Sequence, residues 1–296
     1  MNENIYQCDL SKVKDFLLQS VSAVSPQDGT QWLKEKSSVI SSQKEFYVAF
    51  SSAPRFVGKE KLQANPQLFA EANSLRKNWN PTSYTTDRAA RIIFLLSYFR
   101  ENDSAFVQSV RSLISSADIA ELAAIYSSLP LLPFPEEFVL LAAEGVRSNM
   151  RDVFDAIALE NPFPADFFSE NAWNQLVLKA IFINRPLFRI TGIDERVNKS
   201  LCDTLIDYVH ERWAAGRTIT PELWRCIVPF VDEKNIEDVH KLALSNNIFE
   251  QQAAALVCTQ CNFPEAKKIL ITLQNENPSD SFSWNALGKE LLALNP

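Results

Sequence analysis

The sequence predicts an all-α protein, an irregular α-α superhelix or solenoid of stacked helix pairs, with a compact multi-helix bundle as the alternative. Three observations lead there. Apolar residues recur at helical spacing along most of the 296 residues, whereas alternating β-branched runs bounded by turn residues are scarce. Helix starts carry legible caps. Near the C-terminus, Asn247-Ile-Phe-Glu250 and Asn262-Phe-Pro-Glu265 repeat one opening pattern fifteen residues apart, each an Asn followed three residues later by a Glu. Serial helical units of this kind cannot bury their apolar faces alone and must stack on neighbours.

Residues 10–24 and 30–56 read as two helices of an N-terminal segment, 1–57. Residues 58–84 are mixed and polar, with Asn65-Pro66 and Asn80-Pro81 as turn signals, and read as a linker or irregular loop. The remainder, 85–296, reads as a helical array, beginning with helices over 87–100, 104–114, 118–129, 135–147 and 151–158. Asp118 and Glu121 have the spacing of a capping box, in which each side chain takes a backbone donor that the helix start leaves free. Pro135 followed by Glu136 and Glu137 suits a first turn, where proline forfeits no hydrogen bond and acids face the positive end of the dipole.

Composition excludes several function classes. At 46% hydrophobic residues the chain can bury a sizeable core. A formal charge of -7 gives no field that would draw nucleic acid phosphates, so no nucleic acid partner is expected. The 6 glycines are scattered and build no phosphate-cradling loop. Residues 1–10 lack the basic-then-apolar order of a secretory signal. The apolar run 92–99 is broken by Ser97 and flanked by Arg91 and Arg100, well short of the roughly 20 residues that span a bilayer. A cytoplasmic protein, not integral to a membrane, is the expectation. Five cysteines make an odd count with no disulfide framework. The Cys258-Thr-Gln-Cys261 motif lacks a second ligand pair, with only His210 and His240 elsewhere, and it lacks the preceding strand of a redox site. No metal and no cofactor are called for.

The composition changes between 161 and 230. Three of the six tryptophans, Trp173, Trp213 and Trp224, fall here. From 179 to 225 eight basic residues (Lys179, Arg185, Arg189, Arg196, Lys199, Arg212, Arg217 and Arg225) face six acids, Asp194, Glu195, Asp203, Asp207, Glu211 and Glu222. Guanidinium forks beside aromatic faces suit an anionic or planar ligand; the alternative is a network of ion pairs and stacks that ties helices together. Lys179 interrupts the apolar stretch 176–183, so it must snorkel, pair with an acid or meet a ligand anion. Asn171 and Gln175 precede it at helical spacing and share its stripe. Leu201, Leu205, Val209 and Trp213 form an apolar face of a helix whose polar stripe holds Asp203, Asp207 and His210. Asp207, three residues before His210, could orient that imidazole for acid–base work, which makes His210 the candidate catalytic residue; a solvated face is the alternative. Thr220-Pro-Glu-Leu-Trp224 has the form of a helix start, a Thr cap with Pro in the first position. The ligand-binding candidates are Asn171, Trp173, Gln175, Lys179, Arg189, Asp194, Arg196, Asp207, His210, Arg212, Trp213, Trp224 and Arg225.

Three stretches carry a resemblance: Asn171-Ala-Trp-Asn-Gln-Leu-Val-Leu-Lys-Ala-Ile-Phe182, Gly192-Ile-Asp-Glu-Arg-Val-Asn198, and Asp207-Tyr-Val-His-Glu-Arg-Trp-Ala-Ala-Gly-Arg217 through Pro221-Glu-Leu-Trp-Arg225. Together, over 161–230, they resemble the EboA-domain family. The resemblance implies a cytosolic component of bacterial and cyanobacterial Ebo gene clusters, which are linked to making or exporting secondary metabolites such as scytonemin precursors. It implies partners among the other proteins of such a cluster, a membrane prenyltransferase included, and transfers no catalytic residue. Three functions follow as expectations. The first is a non-catalytic binding or adaptor protein that holds an anionic or isoprenoid-derived intermediate or a partner enzyme. The second is an enzyme acting on such a metabolite, with a Lys/Arg anion clamp and His210 as acid or base, although no DDxxD metal motif is present. The third is a purely protein–protein scaffold.

Overall fold

The computed structural model describes residues 8–63, 65–99, 104–274 and 283–294. Among them an isolated antiparallel bridge pairs Lys61 with Thr85, no residue is assigned to an extended strand, and the named elements are all helical. The chain divides into two compact units, Met1–Ser169 and Glu170–Pro296.

The first unit contains α1 (Leu10–Ser22), α2 (Gln27–Val39), α3 (Gln43–Val57), α4 (Pro66–Leu75), α5 (Thr86–Tyr98), α6 (Ser104–Ser116), α7 (Ile119–Ser128), α8 (Val139–Arg147), α9 (Arg151–Ala158) and the short α10 (Phe163–Phe167). At its centre α5 buries Ala89, Ala90 and every residue from Arg91 to Ser97, and α1, α2, α3 and α7 all pack on it. A helix that is apolar nearly all round must be covered all round. In a solenoid each unit meets only its sequence neighbours. A helix that gathers the first, second, third and seventh about itself is the pattern of a compact multi-helix bundle. The irregular superhelix or solenoid of stacked helix pairs expected from the sequence is therefore corrected to its alternative, the compact multi-helix bundle.

Asp87 and Arg91 on α5 are almost completely buried, and Arg91 Nη1 donates to Asp87 Oδ2 at 2.7 Å. The guanidinium is completed by the Phe50 carbonyl, 3.2 Å from Nε, and by the Phe50 ring, 5.6 Å from Cζ. The expected single helix over 30–56 is two helices, parted at 40–42. Ser42 caps α3, its hydroxyl accepting from Glu45 N, while Glu45 Oε2 accepts from the backbone N–H groups of Ser41 and Ser42 and from the Ser41 hydroxyl. Those donors hold the Glu45 acid down at about 2. A depressed carboxylate stabilises the fold above its unfolded value, and that contribution is lost as pH falls through the folded one. The stability gap between the wild type and Glu45→Gln is expected to close as pH falls from about 4.5 to about 2. Urea midpoints measured across that range check it; a gap that stays constant would count against the capping role.

The 58–84 stretch, expected as a linker or loop, carries α4 and side chains of the unit's interior. Arg76, which caps α4, pairs with Asp166 and donates to the Pro130 carbonyl at 3.1 Å. Trp79 is fully buried, and its Nε1 donates to the Tyr84 hydroxyl, which donates to the Ser127 carbonyl. Gly29 lets α2 lie against the end of α3, because a Cβ there would sit 2.1 Å from the Phe56 carbonyl oxygen. The Asp118/Glu121 capping box is present at α7. The expected helix end at Arg100 lies outside the described residues.

The second unit contains α11 (Glu170–Phe182), α12 (Lys199–Ala214), α13 (Ile236–Ala243), α14 (Ile248–Gln260), α15 (Ala266–Gln274) and α16 (Trp284–Leu294). Between α11 and α12 lies one turn of 3₁₀ helix, Leu187–Arg189; between α12 and α13 lie two, Pro221–Cys226 and Val228–Phe230. Here α14 is the centre, packed by α13, α15, α16 and the 221–226 turn. Asn247 caps α14 by accepting from Phe249 N. Thr220 does not cap: its side chain makes no hydrogen bond to the helix start, and the element it precedes is a 3₁₀ turn.

Candidate functional site

All thirteen candidate residues belong to the second unit, and the structure joins eight of them in three groups. The first centres on Arg225, whose side chain is 2% exposed. Its Nε donates to Asp194 Oδ1 at 2.8 Å and its Nη2 to Asp194 Oδ2 at 2.6 Å, a two-pronged pairing that suits the planar fork. Nη2 also reaches Asn285 Oδ1 on α16 at 3.3 Å. Glu222, equally buried and one turn earlier, accepts from the backbone N–H groups of Leu187 at 3.1 Å and Phe188 at 2.8 Å. Burial pushes the Glu222 acid up, against the opposing pull of those N–H groups and of Arg225. Helix α16 closes on this carboxylate at Gly288, where a Cβ would stand 2.4 Å from Glu222 Oε1 and 2.5 Å from Phe188 Cδ1. The group thus joins the 187–189 turn, the 190–196 loop, the 221–226 turn and α16.

The second group ties the loop before α12 back to α11. The Arg196 guanidinium lies over the fully buried Trp173 ring, 4.8 Å from its centroid. Asn174 and Asn198 exchange side-chain amide hydrogen bonds at 2.8 and 3.2 Å, and Asn198 also caps α12 by accepting from Leu201 N. The third group joins α12 to α13. His210 Nε2 lies 2.9 Å from both carboxylate oxygens of Asp238, so Asp238 and not Asp207 orients the imidazole. Lys241 Nζ sits 4.0 Å above the Trp213 ring, and that ring packs on Trp224 at 6.1 Å. Arg212 turns to the end of its own helix, giving Nε and Nη2 to the Thr218 carbonyl, with Cζ 5.9 Å from the Tyr208 ring.

Five candidates remain. Asn171, Gln175 and Asp207 are exposed. Lys179 and Arg189 are half-buried and neither is free of a partner. Burial lowers the Lys179 ammonium from its ordinary value. Cys258 is buried, its thiol pushed up to about 12 by burial, and Cys261 lies at the end of α14; both are free thiols. Among the described residues no group of three or more His, Cys, Asp or Glu is placed to hold a metal. Residues missed by sequence reasoning are Asp238, Lys241, Asn285, Gly288 and the Asn174–Asn198 pair. Asn198, just before the apolar face of α12, carried a cap signal that could have been read.

A family model described as metabolite traffic protein EboA matches residues 13–228. The chain belongs to the EboA family. The match runs from α1 through the 221–226 turn, so Glu222 and Arg225 lie inside it, while Asp238, Lys241, Asn285 and Gly288, which complete the groups above, lie beyond it. No curated protein and no solved structure matches the chain. Membership supports a general part in metabolite handling. No described helix is long and apolar enough to cross a membrane.

Proposed function

We propose that the chain serves metabolite traffic without catalysing a reaction, as a protein scaffold that brings other components together. One observation carries this: the basic and imidazole side chains that would clamp or process an anion are engaged by the chain itself. Asp194 takes both prongs of Arg225, Asp238 takes His210, the Thr218 carbonyl takes Arg212, and Trp173 takes the face of Arg196. A ligand anion would have to displace partners already placed at hydrogen-bond distance, and a general acid–base role for His210 would need a reacting group beside an imidazole turned to Asp238. The partners we assign are proteins encoded with it, a membrane prenyltransferase among them, and the location is the cytoplasm. A second reading has its own support in Lys179. It is half-buried on α11 and burial lowers its ammonium, a setting that suits a small anionic or isoprenoid-derived metabolite.

The two readings part in the host. With Lys179→Ala and Arg212→Ala each folded as the wild type by circular dichroism, the scaffold predicts metabolite traffic within about twofold of normal and unchanged in-cell cross-links to partner proteins. Loss of traffic in Lys179→Ala with those cross-links intact would overturn it in favour of the carrier.

A further inference from the structure

The buried pair Arg225–Glu222 is spaced in a way that direct pairing does not explain. Arg225 Nη1 stands 3.8 Å from Glu222 Oε1, inside the range of an ion pair and outside that of a hydrogen bond. Both side chains are nearly inaccessible, at 2% and 4% exposure. Nη1 has no hydrogen-bond partner, although the other two nitrogens of the same guanidinium are fully used by Asp194 and Asn285. A charged donor left unpaired in the interior costs more than a neutral one. Two more polar atoms without a hydrogen-bond partner, Trp224 Nε1 on the 221–226 turn and Gln252 Oε1 on α14, lie on elements that pack together.

We infer that this junction holds an internal hydration site, with one water molecule bridging Arg225 Nη1 and Glu222 Oε1. A polar pair separated by more than 3.5 Å is the setting in which a bridging molecule is expected. An oxygen at about 2.8 Å from each group spans a 3.8 Å gap without strain. The chemistry selects a neutral molecule. Asp194 and Glu222 already supply two carboxylates for the single guanidinium, so a further anion would meet a surplus of negative charge, and a cation would meet Arg225. The occupant must accept from Nη1 and donate to Oε1, and water does both with two hydrogen-bonding directions to spare. The water makes Arg225–Glu222 a solvent-separated pair. It lets Glu222 keep its oxygens on Leu187 N and Phe188 N while Arg225 stays square to Asp194.

A crystal structure of the full chain at about 1.5 Å resolution tests this. The expected result is a single spherical density peak within about 2.6–3.2 Å of both Nη1 and Oε1, with the occupancy of the surrounding side chains. Contraction of the Nη1–Oε1 distance to a direct hydrogen bond would overturn it, as would density too long for one oxygen atom. A second measurement does not depend on crystals. In Arg225→Lys, whose single ammonium cannot pair with Asp194 and reach the bridge together, the long-lived water seen by oxygen-17 relaxation dispersion is expected to fall by one molecule relative to the wild type. An unchanged count would contradict the site.

Discussion

Asp87→Ala is expected to destabilise the first unit by about 3–5 kcal/mol, because it strands a guanidinium inside a protein interior. Arg91 is 2% exposed, and the change removes the carboxylate 2.7 Å from its Nη1. The Phe50 carbonyl and ring would remain, but neither neutralises charge. Thr85 loses a partner as well, since its hydroxyl donates to Asp87 Oδ1 at 2.6 Å. The loss should arise from breaking the pair and not from lacking one: Asp87→Leu combined with Arg91→Met is expected to recover most of the stability. Urea unfolding of the single and double variants checks both statements. A double variant as unstable as the single would show that the pair itself holds α5 in place.

Glu222→Ala is expected to cost the second unit a similar amount, by a different route. Its carboxylate is the acceptor for two backbone donors, Leu187 N and Phe188 N, and each buried N–H left without an acceptor costs about 1–3 kcal/mol. The residue also fills the space beneath Gly288 of α16, so removal leaves a void where α16 now rests. Glu222→Gln retains one acceptor oxygen and the shape, and should fall between the two. Hydrogen exchange at Leu187 and Phe188 reads the local effect, and faster exchange at both is expected in the alanine variant. If exchange there is unchanged while global stability falls, the carboxylate acts through packing alone.

Features set by neighbouring residues were legible in the sequence, and features set by distant ones were not. The capping box at Asp118 and the Asn247 cap follow from local backbone chemistry, and both are present. The break between α2 and α3 carried the same signal in Ser42 and Glu45, yet apolar periodicity on both sides of it masked the stop. Thr220-Pro221 has the composition of an α-helical start but leads into a 3₁₀ turn. The partner of His210 was sought three residues away, at Asp207, whereas the fold supplies Asp238 from another helix. Glu222 looked like an ordinary first-turn acid. Its burial is imposed by the 187–189 turn and α16, and helical periodicity carries no information about either. The same limit explains the superhelix expectation. A central helix such as α5 is visible in composition, but which helices surround it depends on tertiary contacts.

Native mass spectrometry of the protein purified from its own host decides whether the Lys179–Arg225 region is a structural network in a scaffold or a ligand clamp. The expected result is the mass of the bare polypeptide, the same for the wild type and, after the single-residue correction, for Lys179→Ala. A small-molecule adduct that accompanies the wild type and is lost in a folded Lys179→Ala variant would contradict it.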